Sequence, residues 1–151
     1  MTESIKLEVL PENQLKLFNK LAECTWISDF YFAGGTALAL LLGHRQSIDF
    51  DFFTKIPFKG EIIKKHLAEL GEMELFSEDK DTINAGINGI RVSFFIYEIS
   101  MISDLIDYKN ISIASLLDIA LMKLAAISGR GSKKDFIDLY FLLAYFELSD
   151  L

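Results

Sequence analysis

The sequence is poor in the residues that staple or interrupt a chain: one cysteine, Cys24, and two prolines, Pro11 and Pro57, in 151 residues. A lone cysteine excludes an intramolecular disulfide and suits a reducing cytoplasm. With no basic residue placed to activate it, Cys24 reads as a small buried hydrophobe. Two histidines without spaced cysteine or carboxylate partners exclude an ordinary zinc site. His66 lies among Lys64, Lys65 and Glu69 on a polar helix face, and His44 stands in a loop; neither carries weight. Basic residues are also scarce. Fifteen Lys and Arg against 22 Asp and Glu give a net charge of −7, which argues against a broadly basic, nucleic-acid-coating surface while leaving room for a local basic pocket. Met1 to Pro11 lacks the basic-then-apolar layout of a secretory leader, and no apolar run reaches membrane-spanning length. The expectation is a cytoplasmic protein with no membrane partner.

What is abundant is apolar. Hydrophobic residues make up 51% of the chain, with thirteen Phe, so disorder is excluded and one core-forming domain over residues 1–151 is expected. Leu15, Leu17, Phe18, Leu21 and Ala22 recur at helical spacing between Pro11 and Ile27. Tyr31-Phe32-Ala33 reads as a buried strand feeding a glycine turn, and Thr36 to Leu42 as a short helix, apolar nearly all round, ended by Gly43. Pro57 to Leu70 predicts another helix, and Met73–Phe76, Thr82–Ala85 and Ile90–Tyr97 predict strands, the last two joined by the Asn88-Gly89 turn. Two helices, Ile113–Ile127 and Lys133–Phe146, flank Ser128-Gly129-Arg130-Gly131-Ser132. A mixed sheet whose strands alternate with helices implies an α/β or α+β layout.

Chemistry concentrates in the stretch from Gly34 to Phe53. On the strand after the polar loop, Ile48, Phe50 and Phe52 point one way, and Asp49 and Asp51 the other. Two carboxylates side by side are a platform for Mg²⁺ or Mn²⁺, which take hard oxygen ligands and often only one or two from protein; the alternative is the solvated face of an edge strand. The glycine pair lets backbone N–H groups approach a phosphate at a helix start, or simply makes a tight turn with Thr36 as helix cap. Arg45 can clamp a phosphate or be an ordinary surface charge. Ser47 offers its hydroxyl to a phosphate or to the loop.

A second cluster lies near the C-terminus. Ser132 and Asp135 suit a helix cap. Lys123 stands in the apolar run Ile119–Ile127, and Asp135 and Asp138 share a helix face bordered by Lys134. A buried ion-pair network joining Lys123 or Arg130 to Asp138 is one reading of this block.

Gly-Gly-Thr followed by Arg-x-Ser-x-Asp-x-Asp resembles the signature of the DNA polymerase β-type nucleotidyltransferases, and more closely the AbiEii/AbiGii toxin family of bacterial toxin–antitoxin and phage-abortive systems. The later block, Lys123, then Arg130, then Lys134-Asp135-x-x-Asp138, is similar to that family's second motif. The resemblance implies a polymerase β-like mixed sheet flanked by helices with a helical C-terminal segment. It also implies transfer of a nucleoside monophosphate from an NTP, with Mg²⁺, to an RNA (a tRNA end) or protein acceptor, and an antitoxin partner. On that pattern Asp49 and Asp51 bind metal, and Gly34, Gly35, Thr36, Arg45, Ser47, Arg130 and Lys134 hold the nucleotide. Lys123 meets the phosphates, and Asp135 or Asp138 assists catalysis. One position departs: Ser93 stands where such enzymes place a third carboxylate, and Glu98 falls on the opposite face of that strand. The alternative is a degenerate member that binds nucleotide or a protein partner without turnover.

Overall fold

The computed structural model describes residues 5–129 and 131–151. Among them are five α-helices: α1 (Glu12–Glu23), α2 (Gly34–Leu42), α3 (Gly60–Ala68), α4 (Leu116–Gly129) and α5 (Lys133–Leu142). Seven strands form one mixed sheet: β1 (Tyr31–Ala33), β2 (Phe50–Thr54), β3 (Met73–Glu78), β4 (Thr82–Ile87), β5 (Ile90–Ile96), β6 (Ile106–Tyr108) and β7 (Ile111–Ile113). Their order across the sheet is β3-β4-β5-β2-β1-β7-β6. No helix among the described residues is long and apolar enough to cross a membrane.

Alternation on β2 divides the sheet into two faces. Phe50 and Phe52 are fully buried. The Phe18 ring of α1 packs 5.7 Å from Phe50 and 5.5 Å from Phe32, and α3 buries Ile63 and Leu67. Asp51 and Phe53, the alternate residues of β2, take the other face and are half-buried. Neighbouring strands keep the same division. β5 runs parallel to β2 with Asp51 beside Ser93 and Phe53 beside Phe95, and β4 runs antiparallel to β5 with Asn84 opposite Ser93. Asp51, Ser93 and Asn84 therefore form one row across three strands. The β4–β5 turn is made by Asn88 and Gly89 at φ of 51° and 83°, the left-handed pair that a two-residue hairpin requires.

Helix α2 is buried on nearly every side and packs on α4 and α5. Gly43 ends it in the left-handed conformation, its N–H bonding the Ala39 carbonyl. The helix begins at the glycine pair, with Ala33 as its cap residue, so Thr36 is an interior position and not the cap.

Several sequence expectations need correction. Ile48 is 46% exposed and does not share the core face of Phe50 and Phe52, because β2 starts only at Phe50. The preceding backbone is tied to α2 instead: the Asp49 carbonyl accepts a hydrogen bond from Thr36 Oγ1. Ile113 belongs to β7, paired in parallel with Phe32 of β1, so α4 starts three residues later at Leu116. The last helix stops at Leu142, short of Phe146. Helix α3 starts at Gly60, past Pro57. His66 is half-buried rather than solvated, stacked flat on Trp26 with ring centroids 4.9 Å apart. Cys24 is only half-buried, and burial pushes its thiol pKa up.

Candidate functional site

A cleft of about 650 Å³ opens on the second face of the sheet, between β2–β5 and the helices α2, α4 and α5. It gathers both sequence motifs. Gly34, Gly35, Thr36, Arg45, Ser47, Asp49 and Asp51 line one side, and Lys123, Ser132, Lys134 and Asp135 the other. Arg130 lies outside the described residues.

The glycine turn is shaped for close approach. Gly34 sits at φ +80°, and a Cβ there would come 2.8 Å from Asp51 Oδ2. Only glycine offers both the backbone angle and the space. A Cβ on Gly35 would run into the Arg45 guanidinium. Thr36 Oγ1 donates to the Asp49 carbonyl, so the Ser47 hydroxyl must be the donor in its contact with Thr36. These two hydroxyls hold the loop that delivers the aspartates, which is the second of the two roles open to Ser47 on sequence.

Behind the cleft wall lies a network that the sequence only hinted at. Asp138 is fully buried. It accepts from His44 Nε2 at 2.7 Å and from Arg45 Nε and Nη2 at 2.8 and 3.0 Å, and it pairs with Lys123 Nζ at 2.9 Å. Lys123 Nζ also donates to Asp135 Oδ1 at 2.9 Å. Asp135 closes a capping box with Ser132 at the start of α5. Burial alone would raise the pKa of Asp138, but the hydrogen bonds from His44, Arg45 and Lys123 outweigh it and hold the carboxyl well below the usual carboxylate range. Asp135 is likewise lowered, by Lys123 and Ser132 against the effect of burial. Arg45 and Lys123 each spend donors on Asp138 while still lining the cleft. The ion-pair alternative for Lys123 and Asp138 is thus present in the structure. Lys134 is exposed on the cleft wall.

Ser93 faces the cleft beside Asp51, and its hydroxyl donates to Asn84 Oδ1 at 2.7 Å. Where a third carboxylate would stand, the row is neutral. Among the described residues no cluster of three His, Cys, Asp or Glu side chains could hold a metal ion. The donor set present, Asp49 and Asp51 on one cleft wall, fits a single Mg²⁺ or Mn²⁺ completed by water and phosphate oxygens.

Sequence reasoning missed three contributors. His44 carries no local signal, since its partner, Asp138, lies 94 residues away. Asn84 and Arg91 line the cleft as well. Period-two alternation from Ser93 back to Arg91, and pairing across the Asn88-Gly89 turn to Asn84, were the signals that could have found them.

Comparison with known proteins agrees with this geometry. The model of the nucleotidyl transferase AbiEii toxin family, of type IV toxin–antitoxin systems, matches residues 16–151. A protein of Aquifex aeolicus, aq_aa25, is 41% identical over 140 residues, covering 89% of this chain and 67% of its own. The crystal structure of JHP933 from Helicobacter pylori has a similar fold, with a TM-score of 0.65 at 18% identity over 91% of this chain and 68% of that one. The Megavirus polyadenylate synthase matches at a TM-score of 0.56 and 14% identity, covering 85% of this chain and 30% of the synthase. With both motifs on one cleft and the family match running from residue 16 to the last residue, the chain belongs to the AbiEii nucleotidyltransferase toxin family.

Proposed function

We propose that the cleft binds an NTP with Mg²⁺ or Mn²⁺ and transfers its nucleoside monophosphate to an acceptor hydroxyl, on an RNA such as a tRNA end or on a protein side chain, in the cytoplasm and under control of an antitoxin. The acceptor oxygen bonds to the α-phosphorus as its proton leaves to water. The bond to the β-phosphate bridging oxygen breaks, and pyrophosphate departs with the electron pair. The observation that carries this reading is the convergence of Asp49, Asp51, the glycine turn, Lys123 and Lys134 on one cleft.

Asp49 and Asp51 would hold the ion, whose chemistry when bound is charge neutralisation on the phosphates. The remaining work falls to the chain. The Gly34-Gly35 turn presents backbone N–H groups at the start of α2, where the helix dipole favours an anion. Arg45 and Lys123, held by Asp138, direct positive charge into the cleft, and Lys134 adds an exposed ammonium at its wall. Asp138, buried and off the cleft wall, acts as a positioning residue through these two cations.

The test is nucleotide binding and turnover in Asp51→Asn. Ligand at a hundred times its Kd stabilises by about 2.7 kcal/mol, roughly 5–10 °C in Tm for a chain of this size. Wild type should show that rise with Mg²⁺-NTP and release pyrophosphate; Asp51→Asn should lose both. An unchanged rise in the variant would refute the assignment. The neutral Ser93–Asn84 pair favours a second reading, nucleotide or partner binding without turnover, which predicts the Tm rise but no pyrophosphate.

A further inference from the structure

The sheet order assigns a direction to the cleft. The glycine turn follows β1, and β1 and β5 flank β2 on opposite sides. In phosphoryl-type transfer the attacking and leaving oxygens stand roughly in line, on opposite sides of phosphorus. With the leaving pyrophosphate at the turn, the acceptor must approach over β5, β4 and β3.

That side carries an exposed aromatic ring on an irregular strand. The β3–β4 register slips between Leu75 and Ser77, leaving Phe76 as the extra residue of a bulge. Its ring lies on Gly86, where a Cβ would come within 2.8 Å of Cζ, and it is 46% exposed. The Arg91 guanidinium sits over this ring, 5.7 Å from its centroid, and Arg91 lines the cleft two residues from Ser93. Gly86 and Arg91 are register partners, so ring and cation share the cleft face. Beyond covering Gly86, the ring holds a guanidinium whose residue lines the cleft. Bulges beside active sites re-aim side chains in this way. A half-exposed ring with a guanidinium over it offers its remaining surface to a nucleobase and a cation to the adjacent phosphate.

We propose that Phe76 and Arg91 form the acceptor-docking platform of the cleft, stacking a base near the 3′ end of single-stranded RNA and holding an adjacent phosphate. The proposal rests on the nucleotidyl-transfer reading above, and it places the acceptor on the β3 side of Asp51. Glu74, in register with Gly86, brings a like charge to the same face and tempers affinity for an anion.

The experiment measures binding of a fluorescein-labelled single-stranded oligoribonucleotide with a free 3′-hydroxyl, by anisotropy and without NTP, across a salt series. Phe76→Ala should weaken binding about tenfold with an unchanged salt slope. Arg91→Gln should weaken it and reduce the slope of log K on log salt by about 0.7, as for one lost phosphate contact on a single strand. Phe76→Trp should restore affinity, with its fluorescence quenched on binding. Failure of the transfer reading is seen separately, in the nucleotide assay of wild type and Asp51→Asn, which contains no RNA. Equal affinity of wild type, Phe76→Ala and Arg91→Gln would overturn the platform. So would tighter binding of a blunt RNA duplex than of the single strand, or absence of RNA binding with labelling of a protein instead.

Discussion

At Ser93 a single hydroxyl stands beside Asp51, at the position where the proposed cation site has no third carboxylate. Adjacent strands lie about 4.8 Å apart, within reach of a shared ion, and cation attraction grows with the ligand charge gathered around it. Ser93→Asp should therefore tighten Mg²⁺ binding in the presence of a non-hydrolysable NTP analogue, read by titration calorimetry. The side chain is buried and donates to Asn84 Oδ1, so the new carboxylate requires the Asn84 amide to turn its NH₂ toward position 93. A folded variant with unchanged Mg²⁺ affinity would show that the position is not a vacant ligand site. Strand periodicity made legible only that Ser93 faces away from Val92 and Phe94; its place beside Asp51 was what the family resemblance implied. The surroundings of Asp138 were not legible: Arg45 lies 93 residues away, and no local period encodes which cation reaches a buried carboxylate.

At the scale of elements, α2 shows a packing constraint overruling helix propensity. Gly35 is a helical residue without a positive φ, and alanine there would ordinarily gain about 1 kcal/mol. Yet its Cβ would displace the Arg45 guanidinium from Asp138. Breaking a buried ion pair costs about 3–5 kcal/mol, so the loss outweighs the gain. Gly35→Ala should lower Tm and weaken NTP binding, and a double-mutant cycle with Arg45→Ala should show strong coupling in chemical denaturation. Additive effects would mean that the two sites do not communicate. The helices and the Asn88-Gly89 hairpin were readable because each is specified by its own period and turn residues. Strands β6 and β7 were not. They are three residues each, too short for a period, and β7 is a strand because it pairs with β1 on one side and β6 on the other, with the Ala114 N–H donating to the Phe32 carbonyl.

For the molecule as a whole, Asp138 ties the C-terminal helix to the loop that precedes β2, and this link depends on pH with a definite sign. Its native pKa lies below the unfolded value, because His44, Arg45 and Lys123 stabilise the carboxylate more than burial destabilises it. The unfolded chain therefore binds the proton first as pH falls. The stabilisation is complete above the ordinary aspartate range, about pH 4, and is lost as the pH drops from there toward the lowered native pKa. Asp138→Asn should remove that acid limb, giving a flatter dependence of unfolding free energy on pH below about 4. At neutral pH it should cost about 3–5 kcal/mol, because Arg45 would lose its buried carboxylate partner while Lys123 keeps Asp135. Nucleotide affinity should fall with it, since both cations lose the carboxylate that aims them into the cleft. Urea unfolding across pH 2.5–7, with NTP-induced Tm shifts at neutral pH, reads both effects. A variant that kept the wild-type acid limb would assign the pH dependence to other carboxylates, and one that lost stability but bound NTP as before would make Asp138 a structural tie with no part in positioning the site.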